Sequence, residues 1–141
     1  MTKRVFTTLL LTLFVAVFLF YGCATSMSNL VSSGYYGKET IGDKRTYFSR
    51  IWAVEDDGEL RVSGYLKLRG AIGFDIPEYV EVALVKPDGE LLDAKKVAYF
   101  PRSLYDRQGH REGRFRATFA QAPPQGTTIR LNNVNWAYLL K

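Results

Sequence analysis

Three observations predict an all-β chain: a small antiparallel β-sandwich of about seven strands behind an N-terminal signal helix. Apolar and polar residues alternate with period two in most runs after residue 45. Turn-forming groups separate those runs, at Asp57-Gly58, Pro87-Asp88-Gly89 and Asn132-Asn133. No helical repeat follows residue 44. Short alternating strands punctuated by turns are the sequence form of a sandwich.

The chain starts with Lys3 and Arg4, then runs uncharged from Val5 to Tyr21 and reaches Gly22, Cys23 and Ala24. A basic start, an apolar middle of about 7–15 residues and small residues at the cut make a secretory signal. The stretch Leu19-Phe20-Tyr21-Gly22-Cys23 resembles the lipobox of bacterial lipoproteins, with Phe20 and Tyr21 bulkier than the usual residues. That resemblance implies cleavage before Cys23, a diacylglycerol on its thiol and an acylated new amino group. It also implies a lipid-anchored protein of the bacterial cell envelope. Ala24 stands where an Asp would retain such a protein in the inner membrane, so the implied address is the outer membrane, facing the periplasm. Two other readings of the same residues stay open. Val5 to Tyr21 reaches the lower bound of the about 17–25 residues that span a bilayer, as an uncleaved anchor would. Alternatively, Cys23 is a plain thiol beside a soluble-secretion cut.

Division of the chain follows: residues 1–22 as signal, 23–44 as lipidated cysteine and flexible tether, 45–141 as the folded domain. The tether is rich in Ser, Gly and Thr, as in Ala24-Thr25-Ser26 and Ser32-Ser33-Gly34, and buries little. Beyond the signal, 119 residues from Cys23 to Lys141 suit one domain with one core. The whole chain has 19 Lys and Arg against 14 Asp and Glu; loss of Lys3 and Arg4 leaves 17 cations and a balance of +3. So mild a basicity gives no case for nucleic acid as a partner.

Within the domain, Tyr47–Val54 and the alternating run Leu60, Val62, Gly64, Leu66, Leu68 flank Asp57-Gly58 and form a predicted hairpin. Val80, Val82 and Leu84 lead through Pro87-Asp88-Gly89 to Glu90–Phe100, a second hairpin. A charged stretch, Pro101 to Gly113, precedes the strand of Phe115, Ala117 and Phe119. Pro123-Pro124-Gln125-Gly126 is a rigid connection to Ile129 and Leu131. The Asn132-Asn133 pair is expected to turn the chain into a closing strand of Val134, Trp136, Tyr138 and Leu140. Trp52 and Trp136 are expected in the core, where a large aromatic commonly fills a small sandwich. A strand, a Pro-Pro-x-Gly corner and a final hairpin resemble, loosely, the immunoglobulin-like and fibronectin III-like bacterial modules over residues 45–140. The Cys…Trp…Cys pattern of antibody domains is absent, and a lipocalin-like or partly open barrel stays open.

Catalytic chemistry finds little support. His110 is the lone histidine and sits between Arg107 and Arg111, without a nucleophile pattern such as Gly-x-Ser-x-Gly. No metal and no cofactor are expected: a single histidine and a lipidated cysteine do not make a zinc site. The acidic run Glu55-Asp56-Asp57-Gly58-Glu59 lacks the spacing of a calcium loop and reads as a solvated turn. The segment with the richest binding chemistry follows Phe100 and carries Arg102, Tyr105, Arg107, His110, Arg111 and Arg114, then Arg116. Guanidinium groups fork onto carboxylate or phosphate at two points. The expected function is therefore a non-enzymatic binding or assembly module, held at the membrane through the lipid on Cys23. Its expected partner is an envelope protein, or an anionic glycan or lipid headgroup bound by the 102–116 segment.

Overall fold

The computed structural model describes residues 28–42, 45–69, 77–102, 104 and 111–134. The signal segment, Cys23, Tyr105, Arg107, His110, Trp136, Tyr138 and Leu140 lie outside the described residues. The protein is an all-β sandwich of eight strands: β1 (Gly37–Ile41), β2 (Thr46–Asp56), β3 (Glu59–Leu68), β4 (Tyr79–Val85), β5 (Leu91–Val97), β6 (Tyr99–Phe100), β7 (Glu112–Phe119) and β8 (Thr128–Val134). One sheet has the order β1-β8-β4-β5 and the other β2-β3-β7-β6. Taken as A, B, C, C′, D, E and F, strands β2 to β8 follow the immunoglobulin-type order, with A-B-E-D on one sheet. The place beside F is filled by β1, which pairs parallel with β8.

Both predicted hairpins form. Asp57 (φ 51°) and Gly58 (φ 80°) are the two central residues of a two-residue turn between β2 and β3. Positive φ at both positions gives the twist that matches the flanking strands. The β4–β5 hairpin closes through Lys86 and Glu90, which are joined by backbone and side-chain bonds, while Asp88 Oδ1 accepts from the Glu90 amide.

Period-two alternation places Leu60, Val62 and Leu66 of β3 and Phe115, Ala117 and Phe119 of β7 against Val80, Val82, Leu84, Ile129 and Leu131 of the other sheet. Gly64 lies among the inward residues because nothing larger fits: a Cβ there would meet Phe115 Cζ at 2.9 Å. At the edge nearest β5, Lys95 reaches across to donate to the Thr118 carbonyl, with its ammonium 5.3 Å from the Phe119 ring.

Three expectations are corrected. The tether does not extend to residue 44: Gly37–Ile41 is a strand, and Tyr36, only 2 % exposed, belongs to the core. Its hydroxyl meets the Glu55 carboxylate and the Pro123 carbonyl, which ties the N-terminal stretch to the Pro-Pro corner. Asn29 completes the attachment. Its side chain accepts from the Ala53 amide and donates to the Ile51 carbonyl, and Leu30 N donates to Ala53 O. Asn29 is thus already part of the folded unit, bonded along the edge of β2.

Asn132 and Asn133 do not form a turn. They continue β8, opposite Glu81 and Val80 of β4, and Asn133 Nδ2 reaches Thr46 Oγ1 on the facing sheet. Sheet pairing on both sides of β8 overrides the local turn preference of Asn.

Trp52 is not in the core; it is 38 % exposed on the outer face. The cause is a bulge. Ser49 pairs with Tyr65 and Trp52 with Ser63, so Arg50 and Ile51 together face Gly64. Arg50 takes a positive φ of 47° to make room. The extra residue inverts the alternation, so Ile51 and Ala53 turn inward and Trp52 turns out.

Candidate functional site

The side chains that alternate with the core on β2, β3 and β7 form one outer face. On β3 these are Arg61, Ser63, Tyr65 and Lys67; on β7 they are Glu112, Arg114, Arg116 and Thr118. Backbone register arranges them in rows. Ser49, Tyr65, Arg114 and Phe100 lie in line across β2, β3, β7 and β6. The next row holds Trp52, Ser63 and Arg116.

Aromatic rings and cations interleave on this face. Trp52 and Tyr65 meet edge to face with centroids 6.2 Å apart. The Arg50 guanidinium stands 4.8 Å from the Tyr65 ring, and that of Arg69 5.0 Å from Tyr47. Phe100 is 79 % exposed at the far end of its row. Large exposed aromatics grouped on one surface are informative in a way that single exposed apolar residues are not.

The charges on the face do not cancel. Glu112 is shared by Lys67 (2.8 Å) and Arg50 (3.3 Å), and Asp56 pairs with Arg61 at 2.9 Å. Arg114 and Arg116 are exposed and have no carboxylate in contact among the described residues. Two guanidinium forks two residues apart on β7, with Phe100 next to Arg114 and Trp52 further along the row of Arg116, can hold an anion at several points, with rings on the same face to stack on what carries it.

The residues expected from the sequence are divided by the fold. Arg114 lies on this face. Arg102 lies elsewhere: its guanidinium is 5.5 Å from the Tyr79 ring and Nη1 is 3.4 Å from the Glu78 carbonyl oxygen. The Tyr99 phenol is pushed up by burial, with the charge of Arg102 opposing and that of Glu78 adding to the shift. Arg111 is exposed just before β7, and its carbonyl accepts from Leu68 N. Tyr105, Arg107 and His110 lie outside the described residues.

Arg50, Trp52, Tyr65 and Phe100 are members of the face that the sequence does not mark as binding residues, Trp52 being expected in the core. The alternation of β3 already put Tyr65 on the wet side; for Trp52 the signal is hidden by the bulge. The acidic residues of the first hairpin disperse. Glu55 serves Tyr36 and Asp56 serves Arg61. Among the described residues no three His, Cys, Asp or Glu side chains group as metal ligands. No family model, no curated protein and no solved structure matches this chain, so the reading of the site rests on its own geometry.

Proposed function

We propose that this chain is an envelope lipoprotein whose lipid-anchored sandwich is a non-enzymatic binding module for an anionic partner. The lipobox-like segment ending at Cys23 supports the anchor. The observation that carries the binding reading is Arg114 and Arg116, without carboxylate contacts among the described residues, on the face that also exposes the rings of Trp52 and Phe100. Lipid phosphates and the acidic groups of envelope glycans both match that chemistry. Of the arginine-rich 102–116 segment, this reading draws on Arg114 and Arg116. A second reading, assembly with another envelope protein, draws on β5, an edge strand that exposes Leu91 (58 %) and Leu92. Exposed edges accept partner strands.

Cross-linking in native envelopes, read by mass spectrometry beside a Cys23→Ala control, tests all three parts. An acylated Cys23 as mature N-terminus supports the anchor, and an unmodified Cys23 with Met1 retained overturns it. Reproducible protein links from Lys95 or Lys96, lost in the control, favour the assembly reading. Association that weakens with salt and with Arg114→Glu/Arg116→Glu favours the anionic partner, because screening acts on exposed charge.

A further inference from the structure

The folded unit reaches much closer to Cys23 than the Ser- and Gly-rich composition implies. Asn29 is already clamped to β2, so six residue steps separate it from Cys23. Fully extended, they reach at most about 20 Å. A domain of this size has a radius of gyration of about 13 Å and is wider than that reach. Once Cys23 is lipidated, Asn29 is held within about 20 Å of the bilayer, and the question is which face the domain turns toward it.

Three observations select the same face. The clamp is on the free edge of β2, at Ile51 and Ala53, and the residues between and beside those positions, Arg50 and Trp52, project from the outer face of the β2-β3-β7-β6 sheet. That face carries an excess of cations, with Arg114 and Arg116 free of carboxylates among the described residues. Its exposed rings are Trp52, Tyr47 and Phe100. Trp and Tyr favour the headgroup level of membranes, with an apolar body and a polar tip. Strand β5, by contrast, lies at the far edge of the other sheet, on the side that contacts β7.

We infer that the outer face of the β2-β3-β7-β6 sheet docks on the anionic phosphate surface of the bilayer that holds the anchor. Arg114 and Arg116 bind lipid phosphates, and Trp52 and Phe100 sit at headgroup level. The inference rests on the lipoprotein reading and names the anionic partner of the same face. It leaves the opposite sheet, with Leu91 and Leu92, turned to the aqueous side.

The test uses the full chain, processed in its host and reconstituted into phosphatidylcholine vesicles with or without phosphatidylglycerol. Because Cys23 is the only cysteine, an acylated parent chain takes no maleimide label, which checks the anchor separately. Ser63→Cys places a fluorophore on the proposed docking face, and Lys96→Cys places one on the outer face of the other sheet. Docking predicts that brominated phosphatidylglycerol quenches the label at 63 and spares the label at 96. It also predicts that 1 M salt reverses the quenching. At the strength expected for each basic residue near an anionic surface, Arg114→Glu/Arg116→Glu lowers the docked-to-undocked ratio by at least about thirtyfold. An unquenched label at 63 with Cys23 blocked overturns docking and leaves the anchor standing. Equal quenching at both positions also overturns it. A parent chain that reacts at Cys23 removes the anchor, and docking with it.

Discussion

A Cβ at position 64 would lie 2.9 Å from Phe115 Cζ and 3.3 Å from Ile51 Cγ1, so the meeting of β2, β3 and β7 is closed to any side chain. Gly64→Glu adds an unpaired carboxylate to that crowding and is expected to destabilise the domain by more than about 3 kcal/mol. Phe119→Asp, at a fully buried ring, is expected to do at least as much harm. Arg61→Glu loses only an exposed ion pair with Asp56 and should shift stability by less than about 1 kcal/mol. Thermal melts of the three variants check this order, and the reverse order would contradict the assignment of inner and outer faces. Tyr36 makes a different prediction. Burial, first, and then the Glu55 carboxylate hold its phenol well above the ordinary value of 10.0. Below that pH both folded and unfolded chains keep the proton. Above it the unfolded chain releases the proton while folded Tyr36 keeps it, so stability falls as pH rises, by about 1.4 kcal/mol per pH unit per proton. Tyr36→Phe removes that contribution. Its denaturation midpoint, although lower at neutral pH, should fall less steeply between pH 10 and 12 than that of the parent.

At the scale of single elements, backbone signals and side-chain periodicity were not equally legible. The two hairpins were readable because Asp57-Gly58 and Pro87-Asp88-Gly89 have backbone preferences that act locally. Strand β1 was not. Gly-Lys-Glu-Thr-Ile has no apolar alternation and is exposed throughout, and it is held by backbone pairing to β8 and by the Arg130–Glu39 ion pair. The Asn132-Asn133 signal was real locally and lost to pairing with β4. Trp52 was placed on the wrong side because a bulge at Arg50 and Ile51 changes the period, and no residue there is a Gly that would announce a positive φ. Arg114 reads in the sequence as part of a charged loop, whereas it lies on a strand face, exposed between the inward residues Gly113 and Phe115. The clamp on β2 is testable at this scale. Asn29→Ala leaves the Ala53 amide and the Ile51 carbonyl without their partners and is expected to cost about 1–3 kcal/mol. Hydrogen exchange should speed up at Ala53 and change little in the central strands β3 and β4. Uniform loss of protection would instead mean that Asn29 supports the whole sandwich.

For the whole molecule, the fold joins two facts that are far apart in the sequence. The chain enters along β2, and β2 borders the sheet whose outer face gathers Trp52, Tyr65, Arg114 and Arg116. Under the proposed lipidation of Cys23, a short connection would set orientation as well as location, because the anchor and the cationic face would act on the same surface at high effective concentration. Under that proposal, each contact on the face can be weak on its own and still orient the domain. Oxidative footprinting of the full chain in native envelopes, compared with the same chain in detergent, measures this most directly. The account predicts that Trp52, Tyr65 and Phe100 are protected in the envelope while Leu91 and Leu92 react equally in both. Equal oxidation of Trp52 in the two settings, or protection confined to Leu91 and Leu92, would contradict it.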